Sequence, residues 1–315
     1  MARVLQASNR QHRNLLIHDD NGNIVAGLDI QQHRRYINSK MLYRYCNEVL
    51  RFPTGTEWAI YRLNPDGSTG RDLRQAANIM VAPGNYIILD QNAQAIIVSL
   101  SPETAPRRAF SRSASQSTGP ESFQGNFREG LRQRDGTCTI SGESLATARD
   151  PFADLKSTHI YPVSRVGEWR NMGYRQRWIS DTGDQSQIGE TGLYSLQNGL
   201  LLSSSVHKLL DSFDVGVDPD EGYKVIYFSK NPNRIGGRRL LSTAINASNP
   251  NWRVSPDILR WHLRMCLLMN MKGNASIAQW EHDLGQDDMG EILDQPDAAE
   301  IMEAELFTRL GPIIA

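Results

Sequence analysis

The chain is poor in cysteine. Only three stand in 315 residues, Cys46, Cys138 and Cys266, far apart and with no C-x-x-C pair. That spacing excludes a four-cysteine zinc knuckle and a disulfide scaffold, and sparse cysteine points to a reducing, intracellular compartment, cytoplasmic or nuclear. Also missing is an apolar run near the roughly 18 residues that a membrane span needs. Met1 to Arg13 is polar, without the apolar core of a secretory signal. Nor is there a surplus of either charge: 34 Lys and Arg face 35 Asp and Glu, a net of −1. Taken whole, this excludes a strongly basic nucleic-acid binder. Apolar residues make up 39% and charged residues 22%, so the chain can bury a sizeable core and is not disordered as a whole. Its length suits one large domain or two modest ones.

The balance of charge is an average over unequal parts. Residues 281–305 carry ten acidic side chains and no Lys or Arg; without them the chain has 34 basic residues against 25 acidic, a net of +9. A basic body followed by an acidic segment keeps DNA or RNA open as a partner, with the acidic stretch able to screen the basic surface.

Residues 1–100 read as a β-rich domain. "RNLLIHDD" and "IVAGLDI" flank Asn21-Gly22-Asn23, a hairpin signal. Met41 to Leu50 has helical spacing, and "TEWAIYRL", "NYIILD" and "AIIVSL" add strands separated by Gly and Pro turns. Residues 101–124, with "SPETAPRRAFSRSASQSTGPES", are a Ser/Pro/Arg-rich linker. In residues 125–315, Phe127 to Arg134 reads as a short helix and "YKVIYF" as a strand. Pro256 to Lys272 reads as a helix with Ser255 at its cap and Gly273 at its end, and Pro296 to Leu310 as a second one.

Three pieces carry chemistry: "STHIYP" with His159, "LQNGLLL" with Asn198, and "SSSVHKLLDSFD" with His207 and Asp211. Leu200 to Leu202 suits a strand, and Ser203 to Ser205 can cap a helix opening near Val206. His207 and Asp211 then lie one turn apart on one face. That spacing can ligate one divalent metal, though a hydrogen bond on the helix surface is the plainer reading. His159 standing alone would be read as structural, as His262 is in the "RWHLR" helix.

This order of residues resembles the HNH endonuclease motif, a β-hairpin and helix closing around one metal ion. The resemblance extends to a fungal group of HNH-nuclease-domain proteins. It rests on Arg-Asp-x-x-Cys at Arg134 to Cys138, His-Ile-x-Pro at His159 to Pro162, Asn198 to Leu202, "LRWHLRMCLLMNMKG" and the tail "DMGEILDQPDAAEIMEAELFTRL". It implies an α+β protein: a β-rich N-terminal domain plus an HNH-like ββα core extended by C-terminal helices. It implies His159 as the general base, suited by an imidazole pKa near 6.5, Asn198 as the residue that pins the loop, and His207 as a metal ligand; Asp211 as second ligand follows from the i,i+4 spacing. The cofactor is then a divalent ion (Mg, Mn, Ni or Zn), or none. Many HNH nucleases place Asp or His immediately before the base, where this chain has Thr158, and a neutral hydroxyl is a poor ligand for a hard cation.

The stretch between His159 and Asn198 is long for a compact hairpin and interleaves Arg165, Trp169, Arg170, Tyr174, Arg175, Arg177 and Trp178. Arg165, Trp169, Arg175 and Trp178 are the candidate substrate-binding residues, by phosphate contact and base stacking. The same pattern suits an ordinary helix with Trp packed inward, or a lid over a small-molecule pocket. Three functions compete: metal-assisted phosphodiester hydrolysis on DNA or RNA; a repurposed, metal-free HNH-like fold acting as a cyclase or isomerase on a small molecule in fungal secondary metabolism; and, ranked last because the His159, Asn198 and His207 set is intact, a non-catalytic interaction module. None involves a membrane.

Overall fold

The computed structural model describes residues 5, 13–30, 36–76, 78–105, 123–144, 150–228 and 234–273. The centre of the Ser/Pro/Arg-rich stretch, the acidic segment 281–305 and the expected helix Pro296 to Leu310 lie outside them. The chain forms two compact units. One takes residues 1–106, 227–237 and 264–279; the other takes 107–226, 238–263 and 280–315. The architecture is α+β.

The first unit is built on a five-stranded sheet. Its elements are β1 (Leu15–His18), β2 (Ile24–Leu28), α1 (Ser39–Val49), β3 (Leu50–Arg51), β4 (Ala59–Leu63), β5 (Thr69–Asp72), β6 (Gly84–Leu89) and β7 (Ser99–Leu100). The sheet order is β2-β1-β6-β4-β5, with β1 and β6 parallel and the other pairs antiparallel. The expected hairpin closes where the Asp19 carboxylate accepts the Asn23 amide at 2.8 Å and Gly22 takes a φ of 84°. Helix α1 begins at Asn38, whose side chain accepts from the Met41 amide at 2.8 Å, a cap worth about 1 kcal/mol. The run "AIIVSL" forms a strand only over its last two residues, β7. Ile97 is 75% exposed, so a β-rich composition without a buried face did not make a longer strand.

The second unit contains α2 (Phe123–Asp135), β8 (Leu155–His159), α3 (Val166–Asn171), α4 (Tyr174–Trp178), α5 (Gln185–Ile188), β9 (Gly199–Ser203), α6 (Ser204–Asp211), β10 (Val215–Asp218), β11 (Lys224–Tyr227), α7 (Ser242–Ile245) and the start of α8 (Pro256–Asn270). Helix α2 begins four residues before the expected Phe127, at Phe123, whose ring stacks on Tyr194 in the loop before β9. Strands β8 and β9 pair antiparallel, from Leu155 opposite Ser203 to His159 opposite Gly199, and α6 follows β9 directly. This is the expected hairpin plus helix. The 39 residues between the two strands fold into α3, α4, α5 and short 3-10 turns.

A buried ion pair at the end of α2 holds β9 in place. Arg134 donates to both carboxylate oxygens of its neighbour Asp135, at 2.6 and 2.7 Å. Its remaining N–H groups go to the carbonyls of Leu196, Gly199 and Trp252, at 2.8 to 2.9 Å. All five donors of the guanidinium are used. Asp135 accepts from the Leu201 amide at 3.0 Å, on the β9 edge away from β8. Next to it Thr139 donates its amide to the Leu201 carbonyl at 2.9 Å.

Removing one partner leaves the other buried and unpaired. Arg134→Ala or Asp135→Ala should therefore cost about 3–5 kcal/mol, measured as a shift in the urea midpoint. The apolar pair Arg134→Met with Asp135→Leu should not recover that loss, since the Gly199 and Trp252 carbonyls and the Leu201 amide lose their partners as well. A double variant as stable as the parent would contradict this account.

Candidate active site

The site is assembled at the loop end of the β8–β9 hairpin, where β8 ends and β9 begins. Side chains alternate along a strand, and residues directly opposite in a ladder share a face. His159 and Gly199 therefore lie on one face and Thr158 and Leu200 on the other. The His159 face is covered by α2. A Cβ on Gly199 would lie 2.5 Å from Cζ of Phe127, so only glycine lets that ring approach. Phe127 stacks face to face on the His159 imidazole, with centroids 4.0 Å apart and planes 1° from parallel. Tyr194 meets the imidazole edge-on at 5.3 Å. Both ring nitrogens are shielded from solvent. Thr158, on the opposite face, donates its hydroxyl to the Lys156 carbonyl at 3.3 Å within its own strand.

Asn198 fixes the chain leaving His159. It is fully buried. Its side-chain oxygen accepts from the Tyr161 amide at 2.8 Å, and its amide donates to the Tyr161 and Leu193 carbonyls, each at 3.0 Å. Its own carbonyl accepts from the Ile160 amide at 2.9 Å. A carboxamide serves here because it offers an acceptor and two donors at once. Neither Asp nor Leu could satisfy that backbone.

Tyr161 leads outward from this clamp. Its hydroxyl donates to Glu168 at 2.9 Å, and Arg165 donates to the same carboxylate oxygen at 2.6 Å. Burial, then the Glu168 charge, push the Tyr161 phenol well above its ordinary range. Burial alone would lower the Arg165 guanidinium, but the Glu168 carboxylate more than offsets it and holds it above its usual value. Both groups thus stay in their protonated forms, Tyr161 neutral and Arg165 cationic.

His207 and Asp211 meet as expected. Nε2 of the imidazole lies 2.9 Å from a carboxylate oxygen one turn further along α6. Asp211 is almost wholly enclosed, and His207 keeps 11% of its side chain exposed, so the pair opens on the histidine side. The contact is a direct hydrogen bond within one helical turn, and about 3 Å is also the separation of two adjacent ligands on one divalent ion. Among the described residues no group of three His, Cys, Asp or Glu forms around them; water and phosphate oxygens would have to complete the shell, as they commonly do for Mg²⁺. Asp214 instead accepts from Ser212, and Asp218 caps its own turn by accepting from the Asp220 amide.

The four residues of the insert divide between interior and rim. Trp169 is fully buried, its indole N–H donating to the Thr191 carbonyl at 2.9 Å. Arg175 donates to the Ile179 and Asp181 carbonyls. Arg165 and Trp178 are part-exposed; Trp178 stacks on Tyr174 with centroids 3.6 Å apart. Trp261, from α8, packs 4.5 Å from Tyr161, a partner nothing local in the sequence signals. His262 bonds the Leu210 carbonyl at 3.1 Å and is structural. Cys138 is a free, buried thiol whose sulfur accepts from the Ser141 amide. Sequence reasoning missed Phe127 and Tyr194 as the walls of His159 and Glu168 as the partner of Arg165. The Arg165/Glu168 spacing of three, on adjoining helical turns, was the one legible hint.

Asn198→Ala would strand the Tyr161 amide and carbonyl in the interior. It should cost about 2–3 kcal/mol and free the His159 loop. The measurement is hydrogen exchange at Ile160 and Tyr161; protection equal to the parent's would refute the clamp.

Comparison with known proteins bears on the same residues. No curated protein matches the chain, and no solved structure does. One family model does match: residues 138–218, from Cys138 through the β8–β9 hairpin and α6 to the end of β10, fit the family described as HNH endonuclease.

Proposed function

We propose that the second unit is an HNH-type nuclease that hydrolyses phosphodiester bonds in DNA or RNA. The observation that supports this most is the coincidence of the HNH match, residues 138–218, with a hairpin-plus-helix whose first strand ends on His159, where Asn198 pins the chain. His159 is the general base: its neutral imidazole takes a proton from the attacking water as the P–O bond forms. Water must reach a ring nitrogen for this, so the rings of Phe127 and Tyr194 control access. Asn198 does not touch the substrate; it sets the height and direction of the His159 loop. His207 and Asp211 are the residues that would hold a divalent ion. When bound, that ion supplies positive charge to the scissile phosphate and the leaving oxygen. Arg165, braced by Glu168, offers a permanent cation to a backbone phosphate, and Trp178 on the rim offers an indole face to a base. Trp169 packs beneath them, and Arg175, itself part-exposed, holds the Ile179 and Asp181 carbonyls.

The test uses supercoiled plasmid and a structured RNA with Mg, Mn, Ni or Zn. The parent protein should convert supercoiled plasmid to nicked circles or cut the RNA, and His159→Ala should lower the rate by about 10²–10⁴. Titration with Mn²⁺ by calorimetry separates the ion from the chemistry: His207→Ala should abolish the binding isotherm, whereas His159→Ala should retain it. Failure to cleave either substrate with all four ions would overturn the assignment.

A further inference from the structure

From solvent to the candidate base runs an unbroken ladder of aromatic rings. Phe123, at the first position of α2, is 42% exposed. Its inner face stacks on Tyr194, with centroids 5.6 Å apart and planes 26° from parallel. Tyr194 in turn stands edge-on to both His159, at 5.3 Å, and Phe127, at 6.4 Å. Tyr194 is thus one ring away from the imidazole and Phe123 two. Among the described residues, Tyr194 is the ring that Phe123 contacts. No acidic residue lies in the first turn of α2 to repel an anion.

We propose that Phe123, supported by Tyr194, is a stacking platform for one unpaired nucleobase next to the bond cleaved, and that it makes the protein prefer single-stranded or unpaired substrate. The inference rests on the nuclease reading of His159. One exposed ring is far too small for a stable protein interface, which buries about 800 Å² per partner. It matches a single base, whose π-face any aromatic can stack regardless of sequence. A base stacked there must be out of its duplex, since a paired base has both faces covered by its neighbours. The phosphate beside that base then falls near the imidazole, because the ladder ends on His159. Phe127 is the fixed rung of this ladder and Phe123 the exposed one.

The experiment measures binding of full-length protein in EDTA, so that no cleavage intervenes. The probes are a 12-nucleotide single-stranded DNA and an abasic strand of the same length and charge. The parent should bind the base-bearing strand about tenfold more tightly than the abasic one. Phe123→Leu keeps apolar bulk and helix propensity but removes the π-face; it should abolish most of that preference while leaving abasic binding unchanged. Phe123→Tyr should restore it. A Phe123→Leu protein that keeps the parent's preference, or a parent with no preference or no binding, would overturn the platform. The nuclease reading fails separately: base-selective binding that Phe123→Leu removes, in a protein that cleaves nothing, would leave the platform standing without the hydrolysis. Cleavage with a Phe123→Leu protein indistinguishable from the parent would do the reverse.

Discussion

A buried guanidinium with every hydrogen accounted for is the constraint on which the second unit depends. An arginine and an aspartate removed from water are expensive, and the pair at Arg134 and Asp135 is tolerable only because it is complete. The carboxylate takes two of the five N–H groups, and backbone carbonyls of Leu196, Gly199 and Trp252 take the other three. The position of β9 follows from this. Its first carbonyl is held by Arg134 and the Leu201 amide by Asp135, so one edge of the strand is secured by side chains and the other by β8. With β9 placed, register sets Gly199 opposite His159, and the missing Cβ lets Phe127 lie flat on the imidazole.

The candidate site therefore has a rigid rear and a ringed front. Behind His159, Asn198 converts a loop into a backbone ladder with Tyr161 and Leu193. In front, Phe127, Tyr194 and Phe123 form a graded series from buried to exposed. The imidazole is held by packing on one side and by main-chain geometry on the other, so its orientation does not depend on a bound ion. That separation of duties explains how a hydroxyl at Thr158 can stand beside the base without disturbing it: the side chain lies on the other face of the strand and bonds within it. The ion-binding candidates His207 and Asp211 belong to α6, a different element, and their pairing is internal to one helical turn.

Local pattern was a sound guide to local structure. The Asn-Gly turn between two β-rich runs became the β1–β2 hairpin, the Pro256 to Lys272 pattern became α8, and the apolar run after Asn198-Gly199 became β9. It misled where composition stood in for burial: "AIIVSL" has strand residues but gives only the two of β7. Spacing correctly joined His207 to Asp211, because four residues on a helix is a spatial statement. It could not sort the aromatic insert. Trp169 and Trp178 look alike in a row of Arg and aromatic residues, yet one is sealed in the interior with its N–H satisfied and the other lies on the rim.

What the sequence determined by itself is the kind of element where the pattern coincides with burial, and the chemical type of each polar group: a His, an amide before an apolar run, an Arg-Asp dipeptide closing a helix. These depend on periods of two and of 3.6 residues and on side chains that travel with their own backbone. Only the tertiary structure decided which of those polar groups meet. Arg134 and Asp135 stand side by side at the end of a helix in the sequence, and only the fold brings them to three carbonyls and an amide 62 to 118 residues away. Phe127 reads as one apolar residue of a helix until the bare Cα of Gly199 admits it to the face of His159. Partner choice of this kind is fixed by which groups the packing leaves without water, a property of the folded whole and not of any one segment.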